Sequence, residues 1–188
     1  IISVVETVLI DFNDDIVNSL KKIGSKAVSL HTKKDNVIEI IPEQEELGFV
    51  GIPNKINTET IFEKLKNNMI PIISPLGLGE NKQTYNINGD HAAGAVAKSL
   101  KSRRLLLMTN VEGVLNREKK LISEINSSKI IEMIEDKTIT EGMIPKINTC
   151  LDAVKNDVTA VGIIDGRKPR SVLFELFSDR GSGTLIRK

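Results

Sequence analysis

Two hydrophobic periods alternate along this chain. Residues 14–22 set apolar side chains at helical spacing behind an acidic start, and Gly24 follows as a C-terminal breaker. Residues 27–30 read as a short strand, and 37–41 alternate as an edge or hairpin strand. Residues 58–67 predict an amphipathic helix with Ile61, Phe62 and Leu65 inward. A strand bounded by prolines follows at 70–75, then an Ala- and Gly-dense helix at 90–100. Residues 104–108 predict a buried strand. Residues 127–135 predict a helix with Ile130, Ile131 and Ile134 on one face, and a further helix spans 147–154. A strand at 160–164, a helix at 172–177 and a last strand at 185–186 complete the series. Repeated strand–helix units imply an α/β fold, its mostly parallel sheet covered by helices on both faces. Ligands bind beyond the carboxyl ends of such strands, here after Ile73, Met108 and Ile164. The basic stretch 101–104 separates a helix from a strand and suggests lobes at 1–103 and 104–188.

Composition narrows the field. Lys and Arg total 26 against 25 Asp and Glu, a balance that disfavours nonspecific nucleic-acid binding while leaving local basic residues free to hold phosphate. Few aromatics and no Trp make base-stacking platforms an unpromising reading. The single cysteine, Cys150, cannot form an internal disulfide or a Cys-rich zinc site, and it reads as core packing in a reducing, cytoplasmic setting. No apolar run approaches the ~20 residues of a membrane helix. Residues 1–5 lack the basic region of a signal peptide and read as the interior of an element already under way.

Four segments carry candidate chemistry, each with a plain structural alternative. Residues 75–79 (Pro-Leu-Gly-Leu-Gly) follow a strand, and their glycines suit either close approach to a ligand or a tight turn. In 85–90 (Tyr-Asn-Ile-Asn-Gly-Asp), Asn86 and Asn88 fall on one face of an extended segment and offer donors and acceptors. Asp90 stands where a helix N-cap belongs, and the alternative is an Asn-rich turn with a capping Asp. His91 reads as half-exposed. Residues 108–115 form a polar turn after a buried strand, fit either for a nucleotide or for simple strand termination. In 141–146 (Glu-Gly-Met-Ile-Pro-Lys), Gly142 permits tight approach and Pro145 suits a first helical turn. Lys146 then sits near a positive helix end, where a cation gains nothing unless an anion binds beside it. The bland alternative is one more solvated lysine.

In this order and spacing the segments resemble the N-acetylglutamate kinases of the amino acid kinase family, over nearly the whole chain. The motifs that carry the resemblance are Tyr85 to Ala95, Thr109 to Leu115 and Gly142 to Lys146. Residues 47–51 and the tail from Ile163 through Thr184 also fit. The resemblance implies a three-layer α/β/α sandwich with a central open sheet, an N-terminal amino-acid lobe and a C-terminal ATP lobe. It implies transfer of the γ-phosphoryl group of ATP, brought in with Mg2+, to the side-chain carboxylate of N-acetyl-L-glutamate in arginine biosynthesis, with no dedicated protein metal site. Asn86 and Asn88 would bind substrate, Asp90 would orient the active-site lysines, and Lys146 would stabilise the migrating phosphoryl group. Thr109, Asn110, Gly113, Val114, Leu115, Gly142 and Met143 would border the nucleotide. Glu175 and Gly181 match the pattern of an arginine effector site. The family also implies a homo-oligomer, dimer or hexamer, and for some members a PII-type regulator. Four departures stand out. The family's initial lysine, its Gly-Gly turn and its substrate arginine are not in this chain, which reads as such a kinase without its N-terminal portion. Asn110 replaces the usual Asp, and Gly162 the usual His. Residues 30–35 replace a Gly/Ser-rich loop, with His31 read there as a surface loop residue.

Overall fold

The apolar spacing that predicts a helix from residue 14 continues upstream without a break. In the computed structural model, which describes residues 1–139, 142–179 and 181–188, the helix α1 accordingly spans Ile2–Lys22. Asp14 is therefore interior to the helix rather than its cap. The helix ends at Ile23, and Gly24 takes the left-handed backbone (φ 87°) that closes such ends. The chain divides into two units, Ile1–Val96 and Ala97–Lys188.

In the first unit α1 is fixed by the buried Asn13. Its Nδ2 donates to Ile72 O (2.9 Å), and its Oδ1 accepts from the Ser29 hydroxyl (2.5 Å). Those partners lie on β4 (Ile70–Ile73) and β1 (Ala27–Leu30), which pair in parallel. A four-stranded sheet runs in the order β3 (Gly51–Ile56), β2 (Ile38–Pro42), β5 (Leu76–Leu78), β6 (Thr84–Asn86). The β2/β5 pair is parallel; β2/β3 and β5/β6 are antiparallel. Residues 76–78 are thus a strand rather than a tight turn. A Cβ on Gly77 would lie 2.4 Å from Ile40 Cγ2 and 2.9 Å from Ile38 O, so this glycine admits a neighbouring strand. Helix α2 (Thr58–Lys66) is capped by Asn57 Oδ1, which accepts from Thr60 N, and it buries only Ile61. Phe62 and Leu65, expected inward, are both exposed. Phe62 lies about 100° round the axis from Ile61, off the contact line of a two-turn helix.

In the second unit the sheet order is β7 (Arg104–Thr109), β9 (Ala160–Asp165), β10 (Thr184–Arg187), β8 (Glu124–Asn126). The β7/β9 and β10/β8 pairs are parallel, and β9/β10 is antiparallel. Every residue of β9 is buried, as a central strand covered on both faces requires. Helix α4 (Ser127–Glu135) buries Ile130 and Met133 and leaves Ile131 half exposed, because the buried stripe follows the i, i+3 line rather than the run of isoleucines. Helix α5 (Ile144–Lys155) buries Ile147, Cys150 and Val154, so Cys150 is core as expected. The short α6 (Ser171–Phe177) follows β9. The architecture is α/β, with parallel pairings joined by antiparallel ones. No described helix is long and apolar enough to cross a membrane.

Candidate functional site

The second unit holds a cleft of about 510 Å3 just past the end of β7. Its first wall is built around Gly113. The backbone there has φ 144°, and a Cβ would lie 2.5 Å from Thr184 Oγ1 and 2.8 Å from Leu121 Cδ1, so only glycine fits. The fully buried Thr184 hydroxyl accepts from Val114 N (2.8 Å) and donates to Ile122 O (2.6 Å). Ile122 N in turn donates to Val114 O (2.9 Å). These bonds hold an out-and-back arm, residues 114–122. Its tip is tied by Asn116 Oδ1, which accepts from the backbone of Glu118 and Lys120 (2.9 Å each). The opposite wall is the turn after α4 together with Met143 at the entrance to α5. The apolar lining is Val111, Val114, Leu115, Ile139 and Met143.

Of the residues predicted to border a nucleotide, Gly113, Val114, Leu115 and Met143 line this cleft, although two sequence motifs supply them. Thr109, Asn110 and Gly142 are not among its lining residues. Thr109 ends β7 opposite Asp165, and Asn110 is exposed. Gly142 is exposed, with no described residue within 4 Å of where a Cβ would go. Lys146 is the third residue of α5 and half-buried, beside the positive end of the helix as expected. Glu141 lies outside the described residues.

Sequence reasoning missed a polar network across the cleft. Arg117 Nη2 donates to Asp136 Oδ2 (2.9 Å), and its Nε donates to Thr138 Oγ1 (3.3 Å). Asp136 Oδ1 accepts from both the backbone and the hydroxyl of Thr138 (2.9 and 2.5 Å). The Thr138 hydrogen bonds, with Arg117 beside them, hold the Asp136 carboxyl below its ordinary range. Asp-Lys-Thr after a helix is legible as a side-chain-stabilised turn. Its pairing with an arginine 19 residues upstream is not.

The loops after β7 and β9 come side by side. Gly166 N donates to Thr109 O (2.8 Å). The buried Asp165 carboxylate accepts Arg167 Nε and Nη2 at 2.9 Å each, plus the Arg167 backbone N–H at 2.9 Å. Those bonds take its pKa down to about 2. Lys168 reaches across to Glu112 (2.6 Å).

In the first unit, β6 delivers the Asn-rich segment. Asn86 is half-buried, with its N–H on Phe49 O (2.9 Å), and Ile87 is buried. The helix cap is Asn88 rather than Asp90. Asn88 Oδ1 accepts from Asp90 N (2.9 Å) and His91 N (3.3 Å) at the start of α3 (Gly89–Ser99). Asp90 is the second residue of the helix and half-buried. His91 is exposed. His31, expected at the surface, is buried. Its Nδ1 accepts from Lys33 N (3.2 Å), a bond that needs the neutral ring, and burial pushes its pKa down.

Glu175 and Gly181 also come together, lining a cleft of about 610 Å3 on the second unit. Glu175 is buried, and its Oε2 accepts from Ser182 N (2.8 Å). Gly181 has φ 65°, and a Cβ there would lie 2.6 Å from the same oxygen. A Cβ at Gly162 would lie 3.4 Å from Glu175 Oε1. Among the described residues no group of three or more His, Cys, Asp or Glu side chains could hold a metal ion.

The family model of the amino acid kinases matches residues 4–165. An acetylglutamate kinase of Pelagibacter ubique is 54% identical over 187 residues, an alignment covering 100% of this chain and 65% of that protein. The chain therefore spans just under two thirds of this curated relative's length. A solved structure from Streptococcus mutans is similar at a TM-score of 0.75 and 33% identity, over 90% of this chain and 64% of that one. The N-acetylglutamate synthase of Neisseria gonorrhoeae, solved with coenzyme A and L-arginine, is alike in fold. Its TM-score is 0.76 at 24% identity, over 87% of this chain and 38% of that one.

Proposed function

The chain belongs to the amino acid kinase family, and from that premise we propose that it serves an acetylglutamate kinase, moving the γ-phosphoryl group of MgATP to the side-chain carboxylate of N-acetyl-L-glutamate. The observation that carries the nucleotide half is the cleft where Gly113, Val114, Leu115 and Met143 converge. An apolar slot beside a helix N-terminus and a lysine offers a place for a base and a place for phosphate charge. Support for the acceptor comes from the 54% identity to an acetylglutamate kinase and from the Asn86 to Asp90 segment, which resembles that type.

On this reading Lys146 stabilises the charge that spreads over the migrating group's oxygens, and catalysis is positioning plus electrostatics without a covalent intermediate. Thr109, Asn110 and Gly142 extend the nucleotide contacts past the cleft. Asn86 and Asn88 bind the acylated amino acid; Asn88 does so with its free carboxamide edge, since its oxygen caps α3. Asp90 is the orienting carboxylate. Mg2+ arrives with ATP as part of the substrate. We place residues 1–103 in the amino-acid lobe and 104–188 in the ATP lobe of a cytoplasmic homo-oligomer. Arginine acts at the Glu175/Gly181 cleft, where Glu175 supplies a carboxylate for a guanidinium and Gly162 leaves it uncrowded.

The test is ATP-dependent phosphorylation of N-acetyl-L-glutamate, glutamate, aspartate and carbamate by the full-length gene product, alongside Lys146→Ala. Turnover of the acylated acceptor that falls by orders of magnitude in the variant, with ATP still bound, supports the assignment. Turnover of another acceptor instead keeps the family and sinks the substrate.

A further inference from the structure

The Arg117–Asp136–Thr138 network is absorbed by none of the roles above. It joins the tip of the arm 114–122 to the turn 136–139, and all three residues line the cleft. Its chemistry is opposite to that of the apolar side chains beneath it. Arg117 is largely exposed at 73%, Asp136 at 39%, and an exposed ion pair of this kind contributes little to holding a fold together. It is nonetheless well organised. Thr138 fixes the Asp136 carboxylate through two hydrogen bonds, and the carboxylate with the Thr138 hydroxyl fixes the guanidinium through two more. A guanidinium held by hydrogen bonds in its own plane, at the edge of a cleft with apolar lining, keeps its flat faces clear of those partners, and a flat cationic face stacks on a planar aromatic ring. Seating a ring there would also strip water from the network and strengthen each of its electrostatic contacts.

We propose that Arg117 is a nucleotide-binding residue that closes the outer side of the cleft by stacking on the base of ATP, with Asp136 and Thr138 as the positioning residues that hold its guanidinium ready. This rests on the reading of the cleft as the nucleotide site. Stacking does not distinguish ring edges, so Arg117 provides affinity for the base rather than selection among bases.

The experiment is isothermal titration of the full-length gene product with ATP and with inorganic triphosphate, which lacks the base, combined with steady-state kinetics. Arg117→Ala should weaken ATP about five- to tenfold, the range of a partly desolvated cation–ring contact. It should raise KM for ATP by the same factor, with kcat within twofold and triphosphate binding unchanged. Asp136→Asn should weaken ATP by less, and the double variant no more than Arg117→Ala alone, since both act through one group. Arg117→Lys should restore less than half of the loss, because an ammonium has no flat face. Leu115→Trp, which fills the slot, separates the two levels of the argument. ATP affinity lost in Leu115→Trp but intact in Arg117→Ala overturns the role of Arg117 and leaves the cleft as nucleotide site. ATP affinity intact in both overturns the cleft assignment and this proposal with it. Equal losses for ATP and triphosphate in Arg117→Ala also overturn it, since Arg117 would then be a phosphate contact.

Discussion

Replacing Thr184 by Val tests whether one hydroxyl holds the cleft's first wall. The side chains are nearly isosteric, so the change removes two hydrogen bonds and little volume. Val114 N loses the acceptor 2.8 Å away, and Ile122 O loses the donor 2.6 Å away. Thr184 is fully buried, so water does not replace them. A buried polar group left unsatisfied costs about 1–3 kcal/mol. The stranded N–H bears that in full; the carbonyl, with two lone pairs, bears part of it. A methyl carbon also cannot sit as close to N or O as the hydroxyl does, which offsets the ~0.8 kcal/mol gained by burying it. The sum is a loss of about 2–4 kcal/mol, or roughly 5–15 °C in Tm for a chain of this size. Scanning calorimetry of the parent, Thr184→Val and Thr184→Ser gives the answer. The serine keeps the hydroxyl and loses one methyl, a cost of about 1 kcal/mol. If valine melts within a degree of the parent, or no lower than serine, the hydroxyl bridge is not what secures the arm.

Other outcomes follow from the same geometry. Gly183→Ala should cost more than ~3 kcal/mol, because its Cβ would lie 1.9 Å from the backbone oxygen of Ile163, which cannot yield; a normal urea midpoint contradicts this. Gly142→Ala should leave Tm unchanged, since among the described residues nothing lies within 4 Å of the new Cβ, and a raised KM for ATP would then mark Gly142 as a ligand-facing glycine. Asn88→Ala should cost about 1 kcal/mol through loss of the cap on α3, and Asn88→Asp should recover it; urea melts in which both behave alike remove the capping role. Asp165 has a folded pKa of about 2, below the ~3.9 of an unfolded aspartate, so the stability it contributes is complete above about pH 4 and is lost as pH falls toward 2. The stability gap between the parent and Asp165→Asn should narrow across that window, and a gap constant from pH 5 to 2 refutes the linkage.

Several features were legible in the sequence because their causes are local. Cys150 is buried where helical spacing puts it, on the line of Ile147 and Val154. The run 160–164 became a strand buried along its whole length, as a short apolar run between turns suggests. Asn88 instead of Asp90 caps α3 because a single residue decides a cap, and a helix boundary read from sequence is good only to a residue or two.

What the sequence determined by itself is the order and type of most elements, the burial of Cys150 on α5, and motifs whose spacing resembles one kinase family. Periodicity and capping chemistry act over a few residues, so a reader of the chain sees them directly. Tertiary structure alone decided which motifs share a wall. Leu115 and Met143 meet across one cleft, Glu175 and Gly181 meet at another, and Arg117 finds Asp136. It also decided that Gly77 serves a neighbouring strand and that His31 is buried. Each of these depends on which surfaces the folded chain brings into contact, and that depends on packing between residues far apart in sequence.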